Sequence, residues 1–238
     1  MNNKYEFTGE TLEYEGKTLH RIRALRDFGD VKAGEVGGWV ESEANLSHKN
    51  LAWISDNARV TDNARVTDNA WVTDNAWVTD NARVTDNALV TDNARVSDNA
   101  RVSGNARVSA ALVTDNARVS DNARVSAALV TDNARVSGNA RVSAAWVTDN
   151  ARVSDNARVS ATKDYCTCGP IGSRNDYTTV FRDSKLGVRV VCGCFSGSLD
   201  DFEKAVNKTH PYDQHGMEYR ALIALARIRF AYVFDEIT

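Results

Sequence analysis

The chain has 238 residues, a formal net charge of −3 and 42% hydrophobic residues, and no apolar run is long enough to cross a bilayer. This composition does not favour binding to nucleic acid or to a membrane, and four cysteines do not make a disulfide scaffold in a chain of this length. Because the first residues also lack the apolar stretch of a signal peptide, we expect a soluble, cytoplasmic protein.

Residues 1–53 precede a repeat and are predicted to form a small β cap. The segments KYEFTG and KTLHRIRAL alternate apolar and polar residues, which is typical of strands. The string that follows, ALRDFGDVKAGEVGGWVESEANLS, contains glycines that permit tight turns.

A six-residue unit, Val-Thr/Ser-Asp-Asn-Ala-Arg, repeats over residues 54–160. Six residues do not fit the helical period of 3.6, but they fit a short strand followed by a corner. Val and the Ala two positions before it lie on the same side of such a strand and can both point inward. Asp-Asn then forms the corner, with Asn in the left-handed region, and stacked Asn side chains can form hydrogen-bonded ladders.

This motif resembles the hexapeptide repeat of left-handed parallel β-helix proteins, in which three units make one triangular coil. The repeat itself implies a parallel β-solenoid, whereas its left-handed sense comes from the resemblance. We predict a mainly β protein with a left-handed parallel β-helix of about six coils over residues 54–162. Its open ends would expose unpaired strand edges, so we expect residues 1–53 and 163–238 to cap it.

The string with GGWVES that leads into the repeats is similar to the N-terminal part of the YdcK-like family, and this likeness covers about residues 21–57 and then the repeats. That family is grouped with acyltransferases, so the resemblance implies an enzyme that uses acyl-CoA, with a His beside the coils as general base. The four histidines all lie outside the repeats: His20, His48, His210 and His215. We therefore favour a non-enzymatic protein and keep the acyltransferase as the alternative.

Three units of the repeat are one residue short. In each, Asp-Asn-Ala-Arg is replaced by two alanines followed by Leu112, Leu129 or Trp146. Since these residues are 17 positions apart, the shortened corners stack, and the three side chains form an apolar ladder on one side of the solenoid. Contiguous exposed apolar surface usually marks a contact site. We predict that another subunit or the folded-back C-terminal part covers this ladder, and the similarity to left-handed β-helix proteins favours a homotrimer.

A second outward column contains one arginine per coil. We interpret it as a solvated wall whose charge the corner aspartates neutralise. Its members are Arg65, Arg83, Arg101, Arg118, Arg135 and Arg152.

Residues 163–238 are predicted to form a small α+β domain. DYCTCGPIGSRNDYTTVFRD and LGVRVVCGCFSG indicate two or three strands, and a helix follows in which Ser198 and Asp201 have capping-box spacing. Pro211 ends that helix, and a second helix has apolar residues, Tyr219 among them, at helical spacing. The segments GPIGSRNDYTTV and GCFSGSLDDF resemble a module appended to phage-type proteins, which implies a phage-related accessory role.

Two Cys-x-Cys pairs, Cys166/Cys168 and Cys192/Cys194, lie on predicted strands. Alternation puts each pair on one face, so four sulfurs could meet at a zinc ion if the two strands pair. Structural zinc sites usually have two residues between the cysteines. We therefore favour buried, reduced thiols and predict no cofactor.

Two polar, loop-like segments, GSRNDY and THPYDQHG, could form a small ligand site, with plain turns as the alternative. The candidate residues are Ser173, Arg174, Asp176, His210 and His215. The chain has no phosphate-loop, nucleophile-elbow or dinucleotide signature.

These features favour a rigid scaffold that forms homo-oligomers and presents a C-terminal interaction module to a host protein or a small ligand. Near-perfect repetition suits length and rigidity. It suits catalysis poorly, because catalysis needs distinct side chains at distinct places, and the fold alone does not imply transfer chemistry.

Overall fold

The computed structural model describes residues 3–231 and places a β-hairpin, a parallel β-solenoid and a small sheet with two helices in chain order. The hairpin consists of β1 (Tyr5–Tyr14) and β2 (Lys17–Ala24), and β3 (Val36–Val40) pairs antiparallel with β2. A short 3₁₀ helix, Glu43–Asn45, follows β3.

The solenoid is built from strands of two or three residues. In chain order they are β4 (Trp53–Ile54), β5 (Arg59–Val60), β6 (Arg65–Val66), β7 (Trp71–Val72), β8 (Trp77–Val78), β9 (Arg83–Val84), β10 (Leu89–Thr91), β11 (Arg95–Val96), β12 (Arg101–Val102), β13 (Arg107–Ser109), β14 (Leu112–Val113), β15 (Arg118–Val119), β16 (Arg124–Ser126), β17 (Leu129–Val130), β18 (Arg135–Val136), β19 (Arg141–Ser143), β20 (Trp146–Val147), β21 (Arg152–Val153) and β22 (Arg158–Val159).

These strands stack into three walls, each of which takes every third strand. Wall A has the order β1-β2-β3-β5-β8-β11-β14-β17-β20, wall B has β6-β9-β12-β15-β18-β21, and wall C has β4-β7-β10-β13-β16-β19-β22. The solenoid strands pair in parallel, in registers of 18 residues, or 17 where a corner is shortened. The predicted parallel β-solenoid is therefore confirmed, and its left-handed sense stays a prediction.

The solenoid has about seven turns, one more than predicted. Val40 is in register with Val60, and Leu46 forms a bridge with Val66, so residues that the sequence assigned to the cap complete the first turn. Val40 and Leu46 are buried at positions that Val occupies in later turns. The repeat motif did not reveal this turn because its corners lack the Asp-Asn-Ala-Arg pattern.

The interior of the solenoid is filled by one Val and one Ala from each unit, and these side chains are buried as predicted. Adjacent turns are joined by backbone hydrogen bonds. The Arg118 N–H, for example, donates to the Ala134 carbonyl at 2.9 Å, and the Ser120 N–H donates to the Val136 carbonyl at 2.9 Å. The same bonds recur from turn to turn, which gives a stiff rod in which each turn contacts its neighbours.

The left-handed residue at each full corner is Asp, or Gly at two corners, and not Asn as predicted. The corner aspartates, Asp56 to Asp155 in chain order, have φ values of 55–61°. In this conformation the carboxylate of Asp98 accepts hydrogen bonds from the hydroxyls of Ser97 and Thr114. A short polar side chain that bonds locally makes the left-handed region accessible, and the carboxylate bonds explain why Asp takes this position.

The Asn side chains that follow form the predicted ladders. On the corner between walls A and B, the amide of Asn99 donates to Asn116 at 3.5 Å, and Asn116 donates to Asn133 at 3.4 Å. Similar bonds join Asn87 to Asn105 at 3.1 Å on the next corner.

The C-terminal module begins after a 3₁₀ helix, Thr162–Asp164. Four strands pair antiparallel in chain order: β23 (Tyr165–Ile171), β24 (Asp176–Asp183), β25 (Gly187–Cys192) and β26 (Phe195–Ser198). Helices α1 (Leu199–Thr209) and α2 (Gln214–Arg229) pack on one face of this sheet. The sequence predicted two or three strands because only two residues separate β25 from β26.

The C-terminal module caps the last turn of the solenoid. Phe181 of β24 is fully buried and joins the solenoid core together with Tyr165. The Arg152 N–H donates to the Thr179 hydroxyl at 2.9 Å, so a backbone group at the open edge finds a partner in the module. This satisfies strand-edge groups that would otherwise be free to pair with another chain.

Ion pairs join the module to the last turns. The Arg189 guanidinium contacts Asp155 of the solenoid at 3.5 Å and the buried Asp183 at 2.7 Å. The Arg229 guanidinium donates to the carbonyls of Lys163 at 3.0 Å and Tyr165 at 2.9 Å. The Arg189 ion pair therefore fixes the sheet of the module to the rod, and the Arg229 bonds tie α2 to the start of the module.

Candidate functional site

A cavity of about 130 Å³ lies between the sheet and the helices of the C-terminal module. Its polar lining comes from Ser173, Arg174, Cys192, Cys194, Thr209, His210 and Tyr219. Its apolar lining comes chiefly from Phe195, Phe202 and Val206. A small apolar concavity with a few convergent polar groups is the usual form of a ligand site.

The structure brings three of the five predicted site residues to this cavity: Ser173, Arg174 and His210. Asp176 is not part of its lining. This residue begins β24 and pairs with Arg152 of the solenoid at 3.4 Å, so it helps to dock the module.

His215 lies next to the cavity without lining it. Its ring centroid is 5.7 Å from that of His210, and its Nδ1 is 3.8 Å from the Glu218 carboxylate. The sequence did not indicate Tyr219 as a site residue, because its helical spacing marked it as part of the packed face of α2. A polar tip on an otherwise apolar helix face is the signal that could have identified it.

The turn between the helices positions His210. The His210 N–H closes α1 by donating to the Val206 carbonyl at 2.7 Å, and its Nδ1 lies 2.8 Å from Oδ2 of Asp213. Asp213 also caps α2, since its carboxylate accepts from the Gly216 N–H at 2.8 Å. The hydrogen bond from His210, followed by that from Gly216, lowers the pKa of Asp213. A charged Asp213 thus orients the imidazole and leaves Nε2 as the nitrogen available to a ligand.

The Tyr219 hydroxyl packs against Gly172, whose lack of a side chain leaves room for it. A Cβ on Gly172 would lie 1.8 Å from the Tyr219 Oη, so a larger residue would displace the phenol. The Cys192 thiol donates to this oxygen at 3.7 Å. Burial raises the pKa of Tyr219 to about 12, so its hydroxyl keeps its proton at neutral pH.

Arg174 lies against a second glycine, Gly193. A Cβ on Gly193 would lie 3.4 Å from Cδ and 3.2 Å from Nη1 of Arg174, so the side chain lies directly against this residue. Gly193 also has a φ of 58°, which its tight turn between β25 and β26 requires. Within residues 3–231, no carboxylate lies within 4.0 Å of the Arg174 guanidinium.

The four cysteines do not form the zinc site that was considered. β24 lies between β23 and β25, so Cys168 and Cys192 are each paired with Thr178 and not with each other. Cys194 lies in the turn after β25, where strand alternation no longer applies. Among the described residues, no group of three or more His, Cys, Asp or Glu side chains could hold a metal ion.

The apolar ladder of Leu112, Leu129 and Trp146 lies on the outer side of wall A, in the predicted register. Leu112 is 39% exposed and Trp146 is 63% exposed. The described part of the C-terminal module sits on the end of the rod and leaves Leu112 and Trp146 exposed, while Leu129 between them is half-buried. The corner residues Ala110, Ala127 and Ala144 adopt φ values of 44–47°, a region that is unfavourable for Ala.

The tip of the N-terminal hairpin covers an earlier part of wall A. The Tyr14 ring meets the Trp77 ring edge-on at 5.1 Å, and the Arg59 guanidinium lies 4.2 Å from the centre of the Tyr14 ring. Lys17 forms an ion pair with Asp62. A groove of about 360 Å³ lies on wall A between this tip and Leu112. The apolar ladder, whose first member is Leu112, therefore begins at the edge of this groove.

The arginine column on wall B forms the predicted register from Arg65 to Arg152. Direct ion pairs with the corner aspartates are not found in residues 3–231, where Arg152 is the one member of the column within 4.0 Å of a carboxylate, that of Asp176. The corner carboxylates bond instead to Thr and Ser hydroxyls, as Asp98 does with Thr114.

The two N-terminal histidines take part in the packing of the first turns. His48 stacks on Tyr5 with ring centroids 4.2 Å apart, and its Nδ1 accepts from the Lys4 N–H at 3.2 Å. Burial lowers the pKa of His48. His20 stacks on Phe7 at 4.7 Å.

Comparison with known families gives matches within the solenoid. A family model described as the GMPPB C-terminal domain matches residues 72–164, and one described as the YdcK β-solenoid repeat matches residues 52–67. The second agrees with the resemblance found in the repeats, and neither match extends over β23 to α2. A search of the curated proteins finds no match. Within residues 3–231, both helices are too short or too polar to cross a bilayer.

Proposed function

We propose that this protein is a non-enzymatic scaffold that self-associates along the apolar ladder and carries the C-terminal module as a binding unit. The observation that carries the proposal is the exposure of Leu112 and Trp146 in stacked, shortened corners. Each shortened corner lacks the usual Asp and leaves an Ala in the left-handed region. Backbone strain that recurs at three stacked corners suggests that the adjoining apolar surface has a role, and an exposed apolar surface usually makes a contact.

The rod supports this proposal by its rigidity. Backbone bonds of similar length join successive turns, and ion pairs fix the module to the last turn. A module fixed in this way would be displayed at a set distance and angle from the apolar ladder. A second copy of the chain is the proposed occupant of the ladder, and a trimer follows from the similarity to left-handed β-helix proteins.

The acyltransferase alternative has little support in the described chain. His48 and His20 are stacked in the N-terminal packing, and His210 is bonded to Asp213 far along the chain from the repeats. Calorimetry with acetyl-CoA tests this point. Micromolar binding would overturn the non-enzymatic proposal, and millimolar or absent binding would remove the alternative.

Self-association is tested by light scattering on Leu112→Asp and on the double variant with Leu129→Asp. We expect the wild-type mass to be a multiple of the chain mass and the double variant to be monomeric, because two carboxylates would be buried without partners. Leu186→Asp is the matched control, since Leu186 is also 39% exposed but lies in the C-terminal module. A monomeric wild-type protein, or a double variant of unchanged mass, would remove this part of the proposal.

A further inference from the structure

Two polar side chains at the C-terminal cavity, Tyr219 and Arg174, have hydrogen-bond donors that are available to a ligand. The Tyr219 oxygen accepts from the Cys192 thiol, so its own O–H remains for a ligand. The Arg174 guanidinium has no carboxylate within 4.0 Å in the part of the chain that the structure describes. Two donors at one cavity, one of them cationic, suit an anionic acceptor.

The acidic groups nearby are already bonded. The Asp213 carboxylate accepts from His210 and from the Gly216 N–H, and the Glu218 carboxylate accepts from the Gly172 N–H at 2.7 Å. Their charges are thus partly compensated within the protein, so they oppose a bound anion less than free carboxylates would.

The remaining lining is apolar and aromatic. The Phe202 ring lies 5.2 Å from Phe195 and 5.4 Å from Tyr219, both measured between ring centroids. The cavity volume of about 130 Å³ is close to that of an engineered apolar cavity of roughly 150 Å³ that holds benzene. A group of about that size would fill it.

We propose that this cavity binds a small carboxylate that carries an aromatic or branched apolar group, with the carboxylate at Arg174 and Tyr219 and the apolar group against Phe195 and Phe202. This inference rests on the proposed role of the module as a binding unit. Gly172 forms part of the site, because a side chain at this position would displace the Tyr219 phenol, whereas one at Gly193 would only crowd Arg174.

Two sources could supply this chemistry. One is a free organic acid, and the other is the C-terminal residue of a partner peptide, which also presents a carboxylate beside an apolar side chain. The cavity is open to solvent on the side of Ser173 and Arg174, which are both exposed, so either ligand can enter.

Binding is measured by NMR titration or calorimetry with benzoate and with benzamide, its neutral analogue of the same shape. We expect benzoate to bind with a dissociation constant of about 1 mM or tighter, and benzamide to bind at least about tenfold more weakly. Arg174→Gln should weaken benzoate about tenfold or more and leave benzamide unchanged, and Tyr219→Phe should weaken benzoate less. Arg118→Gln, on wall B, is the control and should change neither.

Peptides that end in Phe, as the free acid and as the amide, distinguish the two sources. Tighter binding of the free-acid peptide than of benzoate assigns the site to a partner C-terminus, whereas binding of benzoate alone assigns it to a small acid. Equal binding of benzoate and benzamide, an unchanged Arg174→Gln variant, or no binding of any probe would overturn the inference. The light-scattering test of self-association is unaffected by these outcomes, so the two failures can be told apart.

Discussion

The middle turns of the solenoid and its two ends are stabilised in different ways. In the middle, inward Val and Ala recur in every turn, Asp and Asn recur at most corners, and backbone bonds of the same kind join each turn to the next. At the ends, packing depends on side chains that occur once. Lys4 and Phe28 lie at the N-terminal end, where Phe28 packs edge-on against Trp53, and Phe181 fills the C-terminal end.

This difference separates two tasks within one chain. Equivalent turns supply length and stiffness, but they cannot place several different side chains around one point. The C-terminal module does so: its helices and its turns bring Arg174, His210 and Tyr219 to one cavity. Substitutions at side chains that occur once, and at positions that repeat from turn to turn, therefore test this difference.

The largest effect is expected at a side chain that occurs once. Phe181→Ala removes a fully buried ring between the solenoid and the module and should lower the free energy of unfolding by about 3–5 kcal/mol. Phe195→Ala, at a half-buried position on the cavity side, should cost about 1–2 kcal/mol. Urea unfolding measures both, and equal losses would contradict the role of Phe181 as the end plug.

The buried Lys4 should make the stability of the N-terminal end depend on pH. Its Nζ donates to the Ala52 carbonyl at 2.6 Å, and burial, with a smaller effect of the Arg26 charge, lowers its pKa to about 8. Above that pH the folded chain loses a proton that the unfolded chain keeps until its ordinary pKa near 10.5. The free energy of unfolding should therefore rise by about 2 kcal/mol between pH 8 and pH 10.

Urea unfolding of Lys4→Met at several pH values tests this dependence. Methionine cannot lose a proton, so the variant should lack the rise that the wild-type protein shows. Lys208→Met, at an exposed position on α1, should keep it. A rise of the same size in all three proteins would assign the effect to another group.

A substitution at a shortened corner should be stabilising. Ala127 has a φ of 44°, and glycine adopts this conformation without steric cost, so Ala127→Gly should raise the free energy of unfolding by about 0.5–1 kcal/mol. Ala128→Gly, one residue on and buried in the core, should lower it by about 0.5–1 kcal/mol. Thermal unfolding of the two variants should thus shift in opposite directions, and a destabilised Ala127→Gly would contradict the argument from strain.

The smallest effect is expected for two asparagines that occupy the same position in neighbouring turns. Asn99 and Asn116 each donate one ladder bond and accept another, with distances of 3.4–3.5 Å. Because these bonds are exposed, Asn99→Ala and Asn116→Ala should each cost about 0.5 kcal/mol, and the two values should agree within error. A clear difference between them, measured by urea unfolding, would show that neighbouring turns are not equivalent.

The core could be predicted from the repeat because the inward Val and Ala residues recur at a spacing that can be counted along the chain. Its failures have local causes. Asp takes the left-handed position predicted for Asn because its carboxylate bonds to hydroxyls of its own turn and of a neighbouring turn. The first turn was missed because Val40 and Leu46 fill inward positions without the motif around them.

The candidate site could be predicted only in part. Two polar loops indicated Ser173, Arg174 and His210, but the same reasoning included Asp176, which the fold turns toward Arg152. Tyr219 and Cys192 were assigned to other roles. Neither spacing nor composition shows that the Tyr219 ring packs against Gly172 or that the Cys192 thiol contacts its hydroxyl.

The sequence by itself determined the stacking of the apolar ladder, since a loss of one residue every 17 positions places Leu112, Leu129 and Trp146 in one column of any solenoid with this period. The tertiary structure decided which surface is left open. The hairpin tip packs on Trp77 and the described part of the module closes the end of the rod, so Leu112 and Trp146 of the ladder stay exposed. It also decided the cavity, because contacts between residues far apart in the chain depend on how the sheet and the helices pack and not on any local period.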